Sequence, residues 1–159
     1  IKSWEGFVSF SDFDQMNLID KDGFLTETLN QIKTKLPDRT TNENILFLSQ
    51  SLLNVLLTTS NLIKRKEYAH AYQSLSNVQK YLLWLIRIAT NQTHHWESPT
   101  KSLEKDIDKD WYSEFKLTTS DLDTGNLKVA FQNSLNLSKK LFDELGVKTD
   151  LKRLLNRIE

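Results

Sequence analysis

Apolar residues recur every three or four positions along most of this 159-residue chain, which is the spacing of one face of an α-helix. The chain has only 4 glycines and 2 prolines, and the turns of sheet-rich folds consume these residues. Helices joined by short loops pack as antiparallel neighbours. The sequence therefore predicts an all-α fold, an up-and-down bundle of four to six helices with a short extended N-terminal arm.

The spacing predicts six helices, the second of which has two apolar stripes and should be buried on much of its circumference. Its second stripe consists of Leu46, Leu53 and Leu57. A break in the fourth helix is expected near Asp108, and Gly146 suits the position after the fifth. The helices are predicted over Thr26–Leu36, Thr40 or Thr41–Lys64, Glu67–Thr93, Ser102–Leu117, Gly125–Leu145 and Val147–Ile158, with Pro37 ending the first.

The N-terminal segment has a different pattern. "SWEGFVSF" alternates between faces, as a strand or an extended arm does. "DKDG" is similar to the start of a calcium loop, but the twelfth position from Asp20 is Gln31 where that loop needs Glu, so a plain turn at Asp22–Gly23 is predicted. The chain begins with Ile1 rather than Met, and we expect it to be a piece of a longer protein.

Composition excludes several classes of protein. Lys+Arg and Asp+Glu number 21 each, which argues against a general nucleic-acid binder with its basic excess. The absence of cysteine excludes disulfides and thiolate metal sites and suits a cytoplasmic location. The longest purely apolar run near the middle, "LLWLI", falls far short of the roughly 20 residues of a membrane span, so no membrane partner is expected.

Two histidine patterns bear on the chemistry of the chain. His94 and His95 are adjacent, and neighbours on a helix point about 100° apart, so a shared metal is not expected and a polar helix end is predicted. The spacing of Arg87 and His94 resembles the R-x(4–6)-H signature of the HEPN ribonucleases, in which His acts on the 2′-hydroxyl and Arg holds phosphate. This ribonuclease interpretation is kept as an alternative.

Aromatic and basic clusters each allow two interpretations. Five aromatic residues can line a pocket for an apolar or sugar-bearing ligand, but core packing is the favoured interpretation: Tyr72, Tyr81, Trp84, Trp96 and Trp111. The consecutive Lys64, Arg65 and Lys66 form either a phosphate-binding cluster or a turn with cations at the favourable carboxyl end of a helix dipole.

Several colinear motifs resemble the C-terminal part of lincosamide nucleotidyltransferases of the LinB type. They are "LIKRKEYA", "LSNVQK", "LIR", a lone Trp in "HHWESPTKSLEK", "TTSDLD" and "AFQNSL". The resemblance implies that residues 1–24 link to an N-terminal catalytic domain and that residues 25–159 form the helical bundle. It also implies a homodimer.

The resemblance further implies a two-part transferase. An N-terminal palm with a Gly-Ser motif and paired carboxylates would hold Mg²⁺ and an NTP during transfer to a hydroxyl of a small antibiotic. This chain lacks both motifs: no Gly-Ser precedes "DFD" at Asp12–Asp14, and by the resemblance Glu5 lies after the position of the general base. The chain alone is therefore expected to be inactive and to hold no cofactor of its own.

By the same resemblance, six bundle residues are candidates for nucleotide or drug contacts: Lys64, Arg65, Tyr68, Lys80, Arg87 and Trp96. Glu67 and Gln79 also match the family pattern. A cation such as Arg87 on an apolar helix needs a partner, either a substrate phosphate or a carboxylate such as Glu104. The alternative from a different functional class is a non-catalytic helical interaction or antitoxin-like module.

Overall fold

The computed structural model describes residues 20–33 and 37–158. Within them the chain forms seven α-helices and a single 3₁₀ turn, with no strand, so the all-α prediction is confirmed. The alternating segment of the predicted arm and Leu36 lie outside the described residues. The helices are α1 (Phe24–Lys33), α2 (Asn42–Lys64), α3 (Tyr68–Ala89), α4 (Leu103–Asp106), α5 (Lys109–Lys116), α6 (Thr124–Glu144) and α7 (Thr149–Leu155).

The core lies between three long helices. α2 and α3 pack along their length as an antiparallel pair, α6 packs against both, α5 lies against α3 and α6, and α7 against α2 and α6. Fully buried apolar side chains fill the centre, among them Leu52, Leu56, Leu82, Leu85, Ile86, Leu127, Leu135 and Phe142. Three buried hydroxyls help to fix the packing, since Thr59 and Ser74 share a 2.8 Å hydrogen bond and Ser60 donates to the carbonyl of Ile158.

Helix starts follow local capping chemistry. The side chain of Thr41 accepts a hydrogen bond from the backbone N–H of Asn44, which confirms it as the N-cap of α2. Asp123 does the same for α6. The Asp20 carboxylate accepts the N–H groups of Leu25 and Thr26, so the predicted turn leads directly into α1, which begins at Phe24 rather than at Thr26.

The three long helices end in the same way. In each, a residue with positive φ follows the C-cap, and two backbone hydrogen bonds close back onto the last turn, as in a Schellman motif. The positive-φ residue is Lys66 after α2, Asn91 after α3 and Gly146 after α6. After α2, for example, Glu67 N–H bonds to Leu62 O at 2.9 Å and Lys66 N–H to Ile63 O at 3.0 Å.

The predicted end of the third helix is wrong. α3 ends at Ala89, because Asn91 adopts a φ of 55° and the N–H of Gln92 bonds to the carbonyl of Arg87. His94 and His95 therefore do not form a polar helix end. They lie beyond it, in the separate 3₁₀ turn Thr93–His95. The expected break in the fourth helix is confirmed, since α4 and α5 are separated at Ile107 and Asp108.

One prediction about α2 also needs correction. Leu57 is 50% exposed, so the second apolar stripe ends before it and one face of α2 meets solvent. α2 has no charged residue between Glu43 and Lys64, and it alone among the described helices is long and apolar enough to cross a membrane. This is weak evidence, because the core helix of a soluble protein passes the same test and α2 packs on α3, α6 and α7.

Candidate functional site

The six predicted contact residues lie in three separate places. Lys64, Arg65 and Tyr68 lie where α2 meets α3, and Lys80 lies midway along α3. Arg87 and Trp96 lie at the far end of α3. At 1.5 Å per residue, Tyr68 and Arg87 are about 28 Å apart along the helix axis, so the six residues do not form one pocket.

The basic corner, residues Lys64 to Tyr68, exposes its cations. Arg65 pairs with Glu67 at 3.0 Å, and both side chains are about half exposed. The ammonium groups of Lys64 and Lys66 are exposed and make no ion pair within the described residues. Tyr68 is partly buried, with the Lys128 ammonium 6.0 Å above its ring. The stretch forms a turn at the carboxyl end of α2, as one interpretation predicted, and the corner presents positive charge to solvent.

Lys80 lies beside a shallow cleft on α3. Its ammonium lies 4.8 Å from the centre of the Trp84 ring, which is a cation–π contact. The cleft has a volume of about 280 Å³, close to the lower limit for a small-molecule site. Its lining is Ser76, Gln79, Lys80, Leu83, Pro99, Thr100 and Phe115.

Arg87 is fully buried and holds the segment that comes after α3. Its Nε donates to the carbonyl of Pro99 at 2.8 Å, and its Nη2 donates to that of Lys101 at 2.7 Å. Its Nη1 donates to the carbonyl of Gln92 and to the Asp106 carboxylate, at 3.0 and 3.1 Å. We call residues 90–106 the Arg87 loop, because the guanidinium replaces the hydrogen bonds that this segment would otherwise make with water.

The partner of Arg87 is a carboxylate, as one of the two expected alternatives held, but it is not Glu104. Glu104 lies away from it and accepts a hydrogen bond from the Tyr112 hydroxyl, whereas Asp106 pairs with Arg87. Residues two apart on a helix point about 200° apart, so only one of the two carboxylates can face α3. Sequence reasoning missed Asp106, since helical spacing alone does not say which of them faces inward.

The aromatic residues mainly pack the core, as the sequence favoured. Trp96 is only 9% exposed, and its ring stacks on that of Trp84 with centroids 5.8 Å apart. The indole N–H of Trp84 donates to the backbone carbonyl of Trp96 at 2.9 Å. Tyr81 packs edge-on to Trp84, while Tyr72 is 39% exposed and does not belong to this cluster.

Two imidazoles converge on Asp106 from the 3₁₀ turn. His94 Nε2 lies 3.3 Å and His95 Nε2 3.8 Å from Asp106 Oδ2. The ring centroids of the two histidines are 4.4 Å apart. Burial is the main cause that lowers the pKa of His95, and repulsion from the neighbouring His94 lowers it further. The expectation that the adjacent histidines would not share a ligand is therefore wrong in geometry, since both rings turn toward the same carboxylate.

The structure places Arg87 and His94, the two residues of the ribonuclease alternative, beside the same Asp106 carboxylate. However, Arg87 has no exposed surface, and four of its N–H groups bind protein oxygens. In this arrangement it does not reach a phosphate in solvent. No observation in the described residues therefore favours that alternative.

The described residues do not fit a magnesium–triphosphate centre. Among residues 20–33 and 37–158, the one group of three potential metal ligands is His94, His95 and Asp106. Mg²⁺ prefers an octahedral shell of oxygen ligands, and two of these three are imidazoles. No step of nucleotidyl transfer is therefore assigned to these residues.

Comparison with known protein families identifies the chain. Residues 41–158 match the family described as "lincosamide nucleotidyltransferase-like, C-terminal domain". The match begins at the N-cap of α2 and includes every helix from α2 to α7. The chain belongs to this family, and the resemblance seen in its motifs is confirmed. None of the curated protein sequences compared with the chain matches it.

Proposed function

We propose that this bundle is the part of a nucleotidyltransferase that binds substrates and pairs subunits. The complete enzyme transfers a nucleotidyl group from an NTP to a hydroxyl of a lincosamide-like antibiotic, with Mg²⁺ and the catalytic carboxylates held by an N-terminal domain. The single observation that carries this proposal is the family match over the whole packed bundle. The enzyme functions as a homodimer in the cytoplasm.

The basic corner is the part of the bundle best suited to a triphosphate. Its Lys64 and Lys66 ammonium groups are exposed and have no acidic partner within the described residues. Arg65 pairs only with an exposed Glu67, and such surface pairs are weak enough to exchange for a phosphate. Lysine and arginine cations bind phosphate oxygens through charge-assisted hydrogen bonds. The corner would contribute binding and no catalytic group.

The cleft beside Lys80 is proposed as a contact for the hydroxyl-bearing substrate. Leu83, Pro99 and Phe115 give it an apolar lining, while Gln79 and Lys80 supply polar groups at the rim. Gln79 also donates to the carbonyl of Thr118, which fixes one wall of the cleft. A drug-sized molecule would extend beyond this cleft, whose volume is about 280 Å³.

The proposal is tested by transfer of a labelled nucleotide to lincomycin with Mg²⁺. The 159-residue chain is assayed alone and joined to the region that its gene encodes upstream. We expect no transfer by the chain alone and transfer by the joined protein. Transfer by the chain alone would show that the catalytic carboxylates have been misplaced. A joined protein without a Gly-Ser motif and paired carboxylates would instead favour the non-catalytic interaction module.

The proposed pairing of subunits needs a separate measurement. Sedimentation equilibrium of the joined protein should give the mass of a dimer at micromolar concentration. A monomer at all concentrations tested would remove this part of the proposal and leave the transfer activity unaffected.

A further inference from the structure

A group of metal-binding residues lies outside the regions that the proposed function uses. His94, His95 and Asp106 each offer a ligand atom, and these atoms all lie within 4.8 Å of one another. From this arrangement we propose that the three residues bind a divalent transition-metal ion, with Zn²⁺ as the best fit. The site is independent of the Mg²⁺ and NTP of the proposed transfer reaction.

The distances are close to those of a zinc site. With metal–ligand bonds of 2.0–2.2 Å, ligands at the corners of a tetrahedron are about 3.3–3.6 Å apart. His94 Nε2 and Asp106 Oδ2 are 3.3 Å apart, and His95 Nε2 and the same oxygen are 3.8 Å apart. The widest separation in the group would need to shrink by about 1 Å, which a small rotation of an exposed imidazole achieves.

The carboxylate can bind a metal without losing its structural contact. Arg87, His94 and His95 all approach Oδ2 of Asp106. A carboxylate oxygen has two lone pairs, so Oδ2 can accept the hydrogen bond from Arg87 and also bind an ion that the two imidazoles share. The Arg87–Asp106 hydrogen bond would hold the carboxylate in position, as partners behind metal ligands commonly do.

The ligand types determine which class of ion fits, and the exposure of one histidine gives the ion access to the site. The His94 side chain is 38% exposed, whereas that of His95 is 7% exposed, so the group is open to solvent on one side only. Two imidazoles suit zinc, cobalt, nickel and copper, whereas Mg²⁺ and Ca²⁺ prefer oxygen ligands. The charge of Arg87 opposes any cation, which further disfavours ions that bind imidazole weakly. Three protein ligands leave a fourth position for water.

Bound metal would also fasten the Arg87 loop. His94 and His95 come from the 3₁₀ turn just after α3, and Asp106 is the last residue of α4. An ion held by all three joins the two ends of the loop. Since it binds the folded state and not the open loop, saturating Zn²⁺ should raise the thermal unfolding temperature of the chain.

The test is calorimetric titration of the untagged, chelator-treated chain with Zn²⁺, Co²⁺ and Mg²⁺. We expect about one Zn²⁺ per chain, a Co²⁺ complex with visible absorption bands, and no binding of Mg²⁺. His94→Ala should weaken Zn²⁺ binding by at least about tenfold. The matched control is His70→Ala, which removes an exposed histidine at the other end of α3 and should bind Zn²⁺ as the wild type does.

Wild-type protein that binds no Zn²⁺ would overturn the proposal, and so would equal affinity in His94→Ala and His70→Ala. His95→Gln provides a second ligand variant, and far-ultraviolet circular dichroism reports whether it folds. If it does not fold, the exposed His94 still decides the result. The titration contains no NTP or antibiotic, so its outcome is separate from that of the transfer assay.

Discussion

The two ends of α3 place cationic residues in opposite situations. At the basic corner, the chain reverses within a few residues and leaves Lys64, Arg65 and Lys66 in solvent. At the other end, the Arg87 loop runs through residues 90–106 and folds its carbonyl groups around a guanidinium with no exposed surface. Both ends begin with the same Schellman motif, so the difference arises from the segment that comes after the motif.

The family pattern includes both the exposed cations of the basic corner and the buried Arg87, but their different burial suits the former to binding and the latter to a structural role. An exposed cation can exchange its surface partner for a phosphate at little cost. A buried cation that has lost its hydration depends on every partner, and removing one side of such an interaction is expensive. We therefore propose that the basic corner contacts the triphosphate, whereas the hydrogen bonds of Arg87 assign it to the maintenance of the fold.

The largest difference is expected between the two arginines. Arg87→Met leaves Asp106 and three backbone carbonyls without their donor, and should lower the free energy of unfolding by about 3–5 kcal/mol. Arg65→Met, the matched control on an exposed side chain, should change it by less than about 0.5 kcal/mol. Urea denaturation of both variants measures this. Equal effects would contradict the assignment of Arg87 to the fold.

Removing the charge of the carboxylate partner should likewise cost more stability at Arg87 than at Arg65. Asp106 is 12% exposed and bonds to buried Arg87, so Asp106→Asn should cost about 2 kcal/mol. Glu67 is 45% exposed beside Arg65, so Glu67→Gln should cost at most about 0.5 kcal/mol. Thermal unfolding in the presence of a chelator compares them without any metal contribution. A larger loss for Glu67→Gln would reverse the comparison.

Substitutions at the positive-φ residues that follow two helices should have smaller effects on stability, and these effects report backbone conformation alone. Lys66 has a φ of 63°, where a side chain costs roughly 1 kcal/mol, so Lys66→Gly should stabilise the chain by about that amount. Gly146 has a φ of 62° and no atom within 4 Å of an added Cβ, so Gly146→Ala should destabilise it by about 1 kcal/mol through conformation alone. The thermal unfolding temperature should rise in Lys66→Gly and fall in Gly146→Ala. A change in the same direction in both variants would contradict the account based on turn geometry.

Much of the fold could be predicted from helical spacing, because burial of an apolar face requires it. The start of α2 and the end of α6 followed from Thr41 and Gly146, whereas α6 begins at Thr124, one residue before the predicted start, and is capped by Asp123. The end of α3 did not, since Ile88 and Ala89 continue the apolar pattern and the left-handed Asn91 is not marked by a glycine or a proline. Non-glycine residues that adopt positive φ carry little sequence signal.

The candidate site was less predictable for a different reason. The family pattern singled out both Lys64 and Arg87, but burial decides what each can do, and the burial of Arg87 depends on the path of the Arg87 loop. The convergence of His94, His95 and Asp106 joins a 3₁₀ turn to a helix end eleven residues away, which no local periodicity shows. Only the folded loop brings these side chains together.

The most direct test of the central claim is the Michaelis constant for NTP in the joined protein, with Lys64 and Arg65 both changed to Gln. These side chains are exposed, so the thermal unfolding temperature should stay near that of the wild type. If the basic corner contacts the triphosphate, this Michaelis constant should rise by about tenfold, because losing one charge-assisted hydrogen bond weakens binding by about that factor. An unchanged Michaelis constant in a protein that folds normally would contradict the account.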